Sequence, residues 1–450
     1  MTKPKVPTYQ IGLTTGVALV VANMVGTGVF TTLGLQLLDI QSGFVVLMLW
    51  VVGGLIALCG AWCYAELAAA MPRSGGEYHY LSQIYHPAVG FLSGWVSATV
   101  GFAAPTALGT MALSSYATNV WPALNPLWLS VTVVLALTAI HATSSRAGSY
   151  LQVIITGVKV IVLLAFIGVG WLLAEPQLIQ FAPQATEWSQ LLSPEFAVAL
   201  IYVSYAYSGW NAVVYLAGEV KAPQRNLPRI LLLGTSVVCL LYVALNFIFL
   251  YSTPITSLAG QVEVGYVVAN QLFGESVGRL MGGVIAGLLL STVSSMIFAG
   301  PRIVQIMGED LPALREMAAV SKAGVPVHAM LFQTAITLLF LFTSTFKAVL
   351  LYAGFILSLF TFLTVMGLFV LRWRQPNLPR PYRAWGYPFT PFIFLVLSGW
   401  TLVFILRDNP TESLYGLATL LGAYLFIMQD PEYDPSQFDL GVLHSYTALP

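Results

Sequence analysis

The sequence predicts an all-α integral membrane protein of about twelve membrane-spanning helices, and three observations carry that prediction. The first is composition. Of 450 residues, 58% are hydrophobic and only 8% are charged, with a mean hydropathy of +0.81. Soluble chains carry charge on roughly a quarter of their residues, so this surface has to face lipid. The second is a series of apolar runs of about 20 residues, the length a helix needs to cross a hydrocarbon core. The third is the uneven placement of basic residues between those runs.

The runs centre, in order, on Val20, Val52, Ala98, Val134, Leu164, Tyr205, Cys239, Gly287, Leu338, Leu359, Leu397 and Leu420, here spans 1 to 12. Residues 1–10 carry Lys3 and Lys5 but no short apolar core followed by a cleavage site. The first run therefore reads as a retained helix rather than a signal peptide. Polar connections at 71–87, 219–228 and 308–326 separate spans and are punctuated by Pro or Gly. A longer polar linker precedes span 11, and a polar tail follows Gln429. No polar stretch is long enough to bury a core of its own, so no soluble domain is expected.

Basic residues orient the chain. With the N-terminus inside, the cytoplasmic segments hold Lys3, Lys5, Arg73, Arg146, Lys221, Arg225, Arg229, Arg302, Arg315, Lys322, Arg372, Arg374, Arg380 and Arg383. The outer segments hold only Arg279, Lys347 and Arg407. Both termini are expected in the cytoplasm. The net charge of zero makes nucleic acid an unsuitable partner. Cys59, Cys63 and Cys239 lie in apolar runs and read as small buried fillers.

Two spans break the helical rules in corresponding places. Span 1 contains Val25-Gly26-Thr27-Gly28-Val29-Phe30, and span 6 contains Tyr207-Ser208-Gly209-Trp210-Asn211. The spans are five apart, so the second set of five enters the membrane upside down relative to the first. Matched interruptions in inverted halves point to a substrate site at the midplane. Unwound backbone frees amides and carbonyls, and half-helix N-termini attract an anionic group such as a carboxylate. The plainer alternative is close helix packing through small residues, which is also how Gly12 and Gly16 in span 1 read.

At these residues the sequence resembles the amino acid–polyamine–organocation superfamily, and within it the L-type amino acid transporter branch. The resemblance rests on the span 1 break, on Tyr64-Ala65-Glu66-Leu67, and on Met71-Pro72-Arg73-Ser74-Gly75-Gly76-Glu77-Tyr78. It rests also on Tyr205-Ala206-Tyr207-Ser208-Gly209-Trp210-Asn211 and on Leu378-Pro379-Arg380-Pro381-Tyr382-Arg383. Its most specific part is Glu219-Val220-Lys221-Ala222-Pro223-Gln224-Arg225-Asn226-Leu227-Pro228-Arg229. It extends from span 1 to span 12.

The resemblance implies a leucine-transporter-like arrangement: inverted repeats of five spans each at 11–175 and 190–372, then two helices at 373–428 and a cytoplasmic tail at 429–450. It implies exchange or symport of L-amino acids. By motif, Gly26, Thr27 and Gly28 would bind the substrate carboxylate through backbone amides. Carbonyls of Tyr205, Tyr207 and Ser208, around Gly209, with those near Ala22, would receive the substrate ammonium. Tyr205 takes the place of the aromatic gate. The resemblance also puts Lys159 beside spans 1 and 8, where related transporters hold sodium. There its ammonium would donate to span 1 carbonyls and to a hydroxyl such as Ser294.

Lys159 is notable without the resemblance. It lies about ten residues into span 5, roughly 15 Å from the cytoplasmic end, and an intramembrane charge is a functional candidate by default. Glu66, Arg73 and Glu219 fall where helices meet the cytoplasm and suggest an inner gate of exchanging charge pairs. Solvated helix ends are the alternative.

An enzyme would need clustered His, Asp or Glu, whereas the five histidines are scattered and no metal or cofactor site is apparent. Carbonyl-filter motifs of a channel are also absent from the sequence. Spans 1, 3, 6, 8 and 10 offer no central acid, which favours neutral substrates over cationic amino acids or polyamines. Proton-coupled symport and a transport-inactive amino acid sensor remain as alternatives to exchange. Eukaryotic members of the branch pair with a glycoprotein through a cysteine between spans 3 and 4. No cysteine occurs at 116–126 here, so no disulfide-linked heavy chain is expected, and a bacterial inner membrane is the expected location.

Overall fold

The computed structural model describes residues 11–143, 148–321 and 324–429. The expected cytoplasmic N-terminus at 1–10, the tail beyond Gln429, Arg146 and Lys322 lie outside the described residues. Among the described residues, eleven helices are long and apolar enough to cross a membrane. A shorter apolar helix, Val327–Thr343, supplies span 9. Every centre read from the sequence falls inside one of these crossings.

The breaks in spans 1 and 6 are real interruptions of helix. Span 1 runs as Leu13–Met24, stops at Val25 and Gly26, and resumes as Thr27–Gln36. Span 6 runs as Pro194–Tyr207, turns at Ser208 and Gly209, and continues as a tighter 3₁₀ helix, Ala212–Glu219. The remaining spans are Gly43–Ala70, Pro87–Val120, Pro126–Thr143, Gly148–Leu173, Pro223–Ser252, Glu275–Asp310, Phe346–Arg374, Phe389–Asp408 and Pro410–Met428. Local chemistry sets several starts. Ser42, Ser193 and Thr345 accept the N–H of the residue three positions on, at 3.2–3.3 Å, and so cap spans 2, 6 and 10.

Packing between the spans follows a repeat of five. Spans 1 and 6, 2 and 7, 3 and 8, and 4 and 9 each touch their counterpart. The other neighbours also come in shifted pairs: 1 with 7 and 6 with 2, 5 with 7 and 10 with 2, 5 with 8 and 10 with 3. A pattern that survives a shift of five is what two equivalent halves around one axis require. Spans 11 and 12 lie outside this scheme, packed mainly against spans 2, 6 and 10 and the start of span 3.

Two connections carry structure of their own. The polar stretch after span 2 folds into a short buried helix, Gly76–Ile84, wedged against spans 3, 6 and 10. Ile11 forms a parallel bridge with Val220, its N–H on the Glu219 carbonyl at 2.7 Å. This bridge ties the start of span 1 to the end of span 6. Gly16 packs against Ile230 of span 7 as expected, whereas among the described residues nothing lies within 4 Å of a Cβ at Gly12. Cys59 and Cys63 are buried, Cys239 is half-buried, and all three thiols are free.

Candidate functional site

The two breaks meet at the centre of the bundle. Gly209 has φ +96°, and a Cβ there would lie 2.9 Å from the Asn23 carbonyl oxygen, so a side chain is excluded both by conformation and by span 1. Gly28 lies against span 6 so closely that a Cβ would come within 2.4 Å of the Ala206 Cα. Its first duty is therefore packing. Gly26 is less confined, since the nearest atom to a Cβ there would be the Thr292 methyl, at 3.3 Å, with the Met24 and Asn23 carbonyl oxygens at 3.9 and 4.0 Å.

The freed backbone groups divide into used and unused ones. The Gly26 N–H closes onto the Met24 carbonyl at 2.8 Å, so it is not free for a substrate carboxylate. Thr27 and Gly28 begin the second half-helix, where the first amides of a helix have no intrahelical acceptor. On the acceptor side, the Tyr205 carbonyl already receives the Ser208 N–H at 3.0 Å and its hydroxyl at 2.7 Å. Both bonds belong to the turn that ends the half-helix. Among the described residues, no backbone amide reaches the carbonyls of Ala22, Asn23, Tyr207 or Ser208.

Side chains at the breaks have distinct tasks. Tyr205 is buried, and its phenol lies within hydrogen-bonding reach of the Thr27 side chain, spanning the gap between the broken spans. Tyr207 points away from the gap. Its hydroxyl donates to the Trp50 carbonyl at 3.0 Å, and its ring packs against Trp50 and Tyr242. Tyr242 in turn donates to the Met24 carbonyl at 2.6 Å, bracing the end of the first half-helix.

Lys159 is 1% exposed and sits at the middle of span 5. Its ammonium donates to the Thr292 hydroxyl of span 8 at 2.7 Å. Ser294, the hydroxyl expected from sequence, is instead bonded to His141 of span 4 at 2.8 Å. The two positions are two residues apart, about 200° around a helix, so they face different neighbours. Because the Thr292 methyl borders Gly26, the Lys159–Thr292 pair abuts the span 1 break directly.

The expected inner gate is arranged differently. Glu66 is fully buried and accepts two hydrogen bonds from Arg372, at 2.8 and 2.5 Å, and one from the Ala384 N–H at 2.7 Å. Arg380 adds an ion pair at 3.3 Å. Arg73 is exposed. Glu219 is half-buried and lies in the field of Arg302 from span 8. Glu66 therefore joins span 2 to span 10 and the linker that follows it, because span 10 packs on span 2 and Arg73 lies beyond the helix end.

Two open cavities lie away from the breaks. One, about 390 Å³, is lined by Ser42, Gln177, Glu187 and Thr256, and the other, about 410 Å³, by Gln224, Arg225, Arg229 and Tyr382. Among the described residues, no group of three His, Cys, Asp or Glu could hold a metal. Thr292, Asn23 and Arg372 were not singled out by sequence as site residues, and Arg380 stood out only as part of a motif. A threonine among neighbouring serines and an arginine at a helix end carry no local signal of what they touch.

A family profile described as amino acid permease matches residues 11–425. Large neutral amino acids transporter small subunit 2 of Mus musculus is 30% identical over 429 residues, covering 92% of this chain and 79% of that protein. Asc-type amino acid transporter 1 of Mus musculus is 28% identical, covering 93% and 81%. The b(0,+)-type amino acid transporter 1 of Rattus norvegicus is 27% identical, covering 94% and 89%. These matches run through both breaks and through the spans that hold Lys159 and Thr292, and the chain belongs to the amino acid permease family, in the L-type branch of the amino acid–polyamine–organocation superfamily.

Proposed function

We propose that the protein is a secondary transporter that exchanges neutral L-amino acids by alternating access, without sodium. The observation that carries this reading is the buried Lys159 ammonium, anchored on Thr292 against the span 1 break. A fixed cation at that point stabilises the unwound backbone, so no sodium ion is needed there. The substrate carboxylate binds the free amides of Thr27 and Gly28, and its ammonium binds carbonyls of Ala22, Asn23, Tyr207 or Ser208. Tyr205 closes over it. Among the described residues the buried acids are Glu66, Glu77 and Glu187, and none lies on spans 1, 3, 6, 8 or 10, which supports a neutral side chain.

The repeats are assigned to 11–175 and 190–372, with 373–428 as an appended pair of helices. Both termini are assigned to the cytoplasm, on the asymmetry of Lys and Arg, and the membrane is assigned as a bacterial inner membrane on the lack of a cysteine at 116–126. The mammalian relative is named as a small subunit. In this chain all three cysteines lie within spans, so a partner linked by disulfide at 116–126 is not part of the proposal.

The test is uptake of labelled alanine, serine, leucine and arginine into proteoliposomes, with and without internal unlabelled amino acid and with and without sodium. Sodium-independent uptake that requires internal amino acid is expected. Uptake into empty vesicles, driven by a proton gradient, would replace exchange by symport.

A further inference from the structure

Two carboxylates are buried near the inner ends of the bundle, and their surroundings differ. Glu66 is surrounded by two guanidiniums and a backbone N–H. Glu77, 4% exposed on the short helix Gly76–Ile84, has only neutral donors. Its Oε1 accepts from the Tyr64 hydroxyl at 2.5 Å and from Asn211 Nδ2 at 2.9 Å. Thr361 of span 10 also lies within hydrogen-bonding reach. The two donors come from spans 2 and 6, so this one carboxyl joins two crossings to the connecting helix, while the Thr361 hydroxyl donates to the Leu357 carbonyl of its own span at 2.9 Å.

Among the described residues, no counter-charge is supplied from any side. On its own helix, burial and the charge of Arg73 hold His79 down at about 4, so that imidazole is neutral near pH 7. Tyr80 packs beside it, and neither the Tyr80 hydroxyl nor His79 Nε2 has a hydrogen-bond partner. From span 2 come Tyr64 and the already neutralised Glu66. Span 3 presents His86, which is spent on capping its own helix at Ala88. Span 6 brings Tyr215, close enough to feel the Glu77 charge, and Glu219, which faces Arg302. The arginines of span 10 are engaged elsewhere, Arg372 with Glu66 and Arg374 with the Ile84 carbonyl. Among the described residues no ion pair reaches Glu77.

Asn211 stands two residues beyond the Gly209 turn, on the half of span 6 that alternating access sets in motion. We propose that Glu77 is a proton-binding site that couples the closing of the inner half of span 6 to cytoplasmic pH. The proposal rests on the alternating-access reading above. Burial disfavours the charged form of a carboxyl, and with no counter-charge beside it burial raises Glu77 from 4.5 to about 7, against the smaller opposite effect of its neutral donors. Withdrawal of Asn211 admits water and returns the group toward its ordinary value. The proton thus binds the closed junction more tightly than the open one. The open-to-closed ratio rises by up to about tenfold per pH unit as pH climbs between those two values, and levels above the higher one.

The test compares the wild type with Glu77→Gln and Glu77→Asp, with pH equal on both sides of the vesicle and set from 5.5 to 8. One readout is the exchange rate of a labelled neutral amino acid. The other is maleimide labelling of Ala217→Cys, buried here on the inner half of span 6, in a chain with Cys239→Ala. Each labelling rate is divided by that of the same chain unfolded in detergent at the same pH, to remove the thiolate's own pH dependence. Both readouts should rise at least about fivefold from pH 5.5 to 7.5 in the wild type, in kcat rather than KM. Glu77→Gln should remain near the wild-type low-pH level at every pH. Glu77→Asp should restore the rise with a displaced midpoint, because the shorter side chain cannot keep both donors. A wild-type rise retained in Glu77→Gln, or flat labelling in the wild type, overturns the proposal. Should the glutamine variant not fold, an undisplaced midpoint in the aspartate variant overturns it equally. Labelling that follows Glu77 in a protein showing no exchange at any pH would sink the exchange reading and leave the proton site standing.

Discussion

Lys159 shows what a single residue reveals and what it conceals. A lysine in the middle of an apolar run stands out in a sequence, because burying an ammonium in a membrane helix is costly. Its partner does not stand out. Span 8 carries Ser291, Thr292, Ser294 and Ser295 within two turns, and only the packing of spans 5, 1 and 8 selects Thr292. Lys159→Ala should reduce exchange more than about tenfold while membrane expression stays within about twofold, a separation expected of an intramembrane functional charge. Thr292→Val, which keeps the shape but removes the hydroxyl, should give an intermediate loss. Normal transport in Lys159→Ala would remove the internal cation from the mechanism. The two glycines of the span 1 break also separate at this scale. A side chain at Gly28 meets the backbone of Ala206, so Gly28→Ala should lower folded yield before it affects binding. Gly26→Ala meets a methyl group at 3.3 Å and nothing else closer than 3.9 Å, and should express well, with KM raised by a displaced break. Size-exclusion yield and uptake, measured together, distinguish the two.

Between elements, the decisive pairing was the least visible in sequence. Glu66 and Arg73 are seven positions apart and suggest a local gate, yet the partner of Glu66 is Arg372, 306 positions away. Sequence proximity ranks partners by chain distance, whereas spans 2 and 10 are brought together by the repeat. The motif residues were legible; their mutual contacts needed the packed bundle. Because Glu66 is fully buried and Arg380 nearly so, removing the anion strands a guanidinium. Glu66→Gln should therefore cost about 3–5 kcal/mol, the usual penalty for breaking a buried pair. The change should appear as a lower Tm in detergent, with KM for substrate unaltered. A variant of full thermal stability whose transport is impaired would restore Glu66 to the gate.

At the scale of the whole molecule, the number of spans and the positions of the two breaks follow from hydropathy and glycine alone, which is why they were legible. Which parts move together does not follow from either, since it depends on contacts between segments far apart in sequence. The Ile11–Val220 bridge fastens the start of span 1 to the end of span 6, and this makes the inner halves of the two broken spans one body. The same end of span 6 touches the loop after span 2 more lightly, through the Gly218 N–H on the Ser74 hydroxyl at 3.0 Å. If the inner halves swing together, the first contact travels with them and the second opens in each cycle. Cysteine pairs test this directly. An Ile11→Cys, Val220→Cys disulfide should leave exchange within about twofold, since bridged neighbours lie within the reach of a disulfide. A Ser74→Cys, Gly218→Cys disulfide should arrest exchange, and a reductant should restore it. Normal exchange through the oxidised Ser74–Gly218 link would mean that the inner half of span 6 never leaves the loop. Substrate would then have to reach the cytoplasm by some other opening in the bundle.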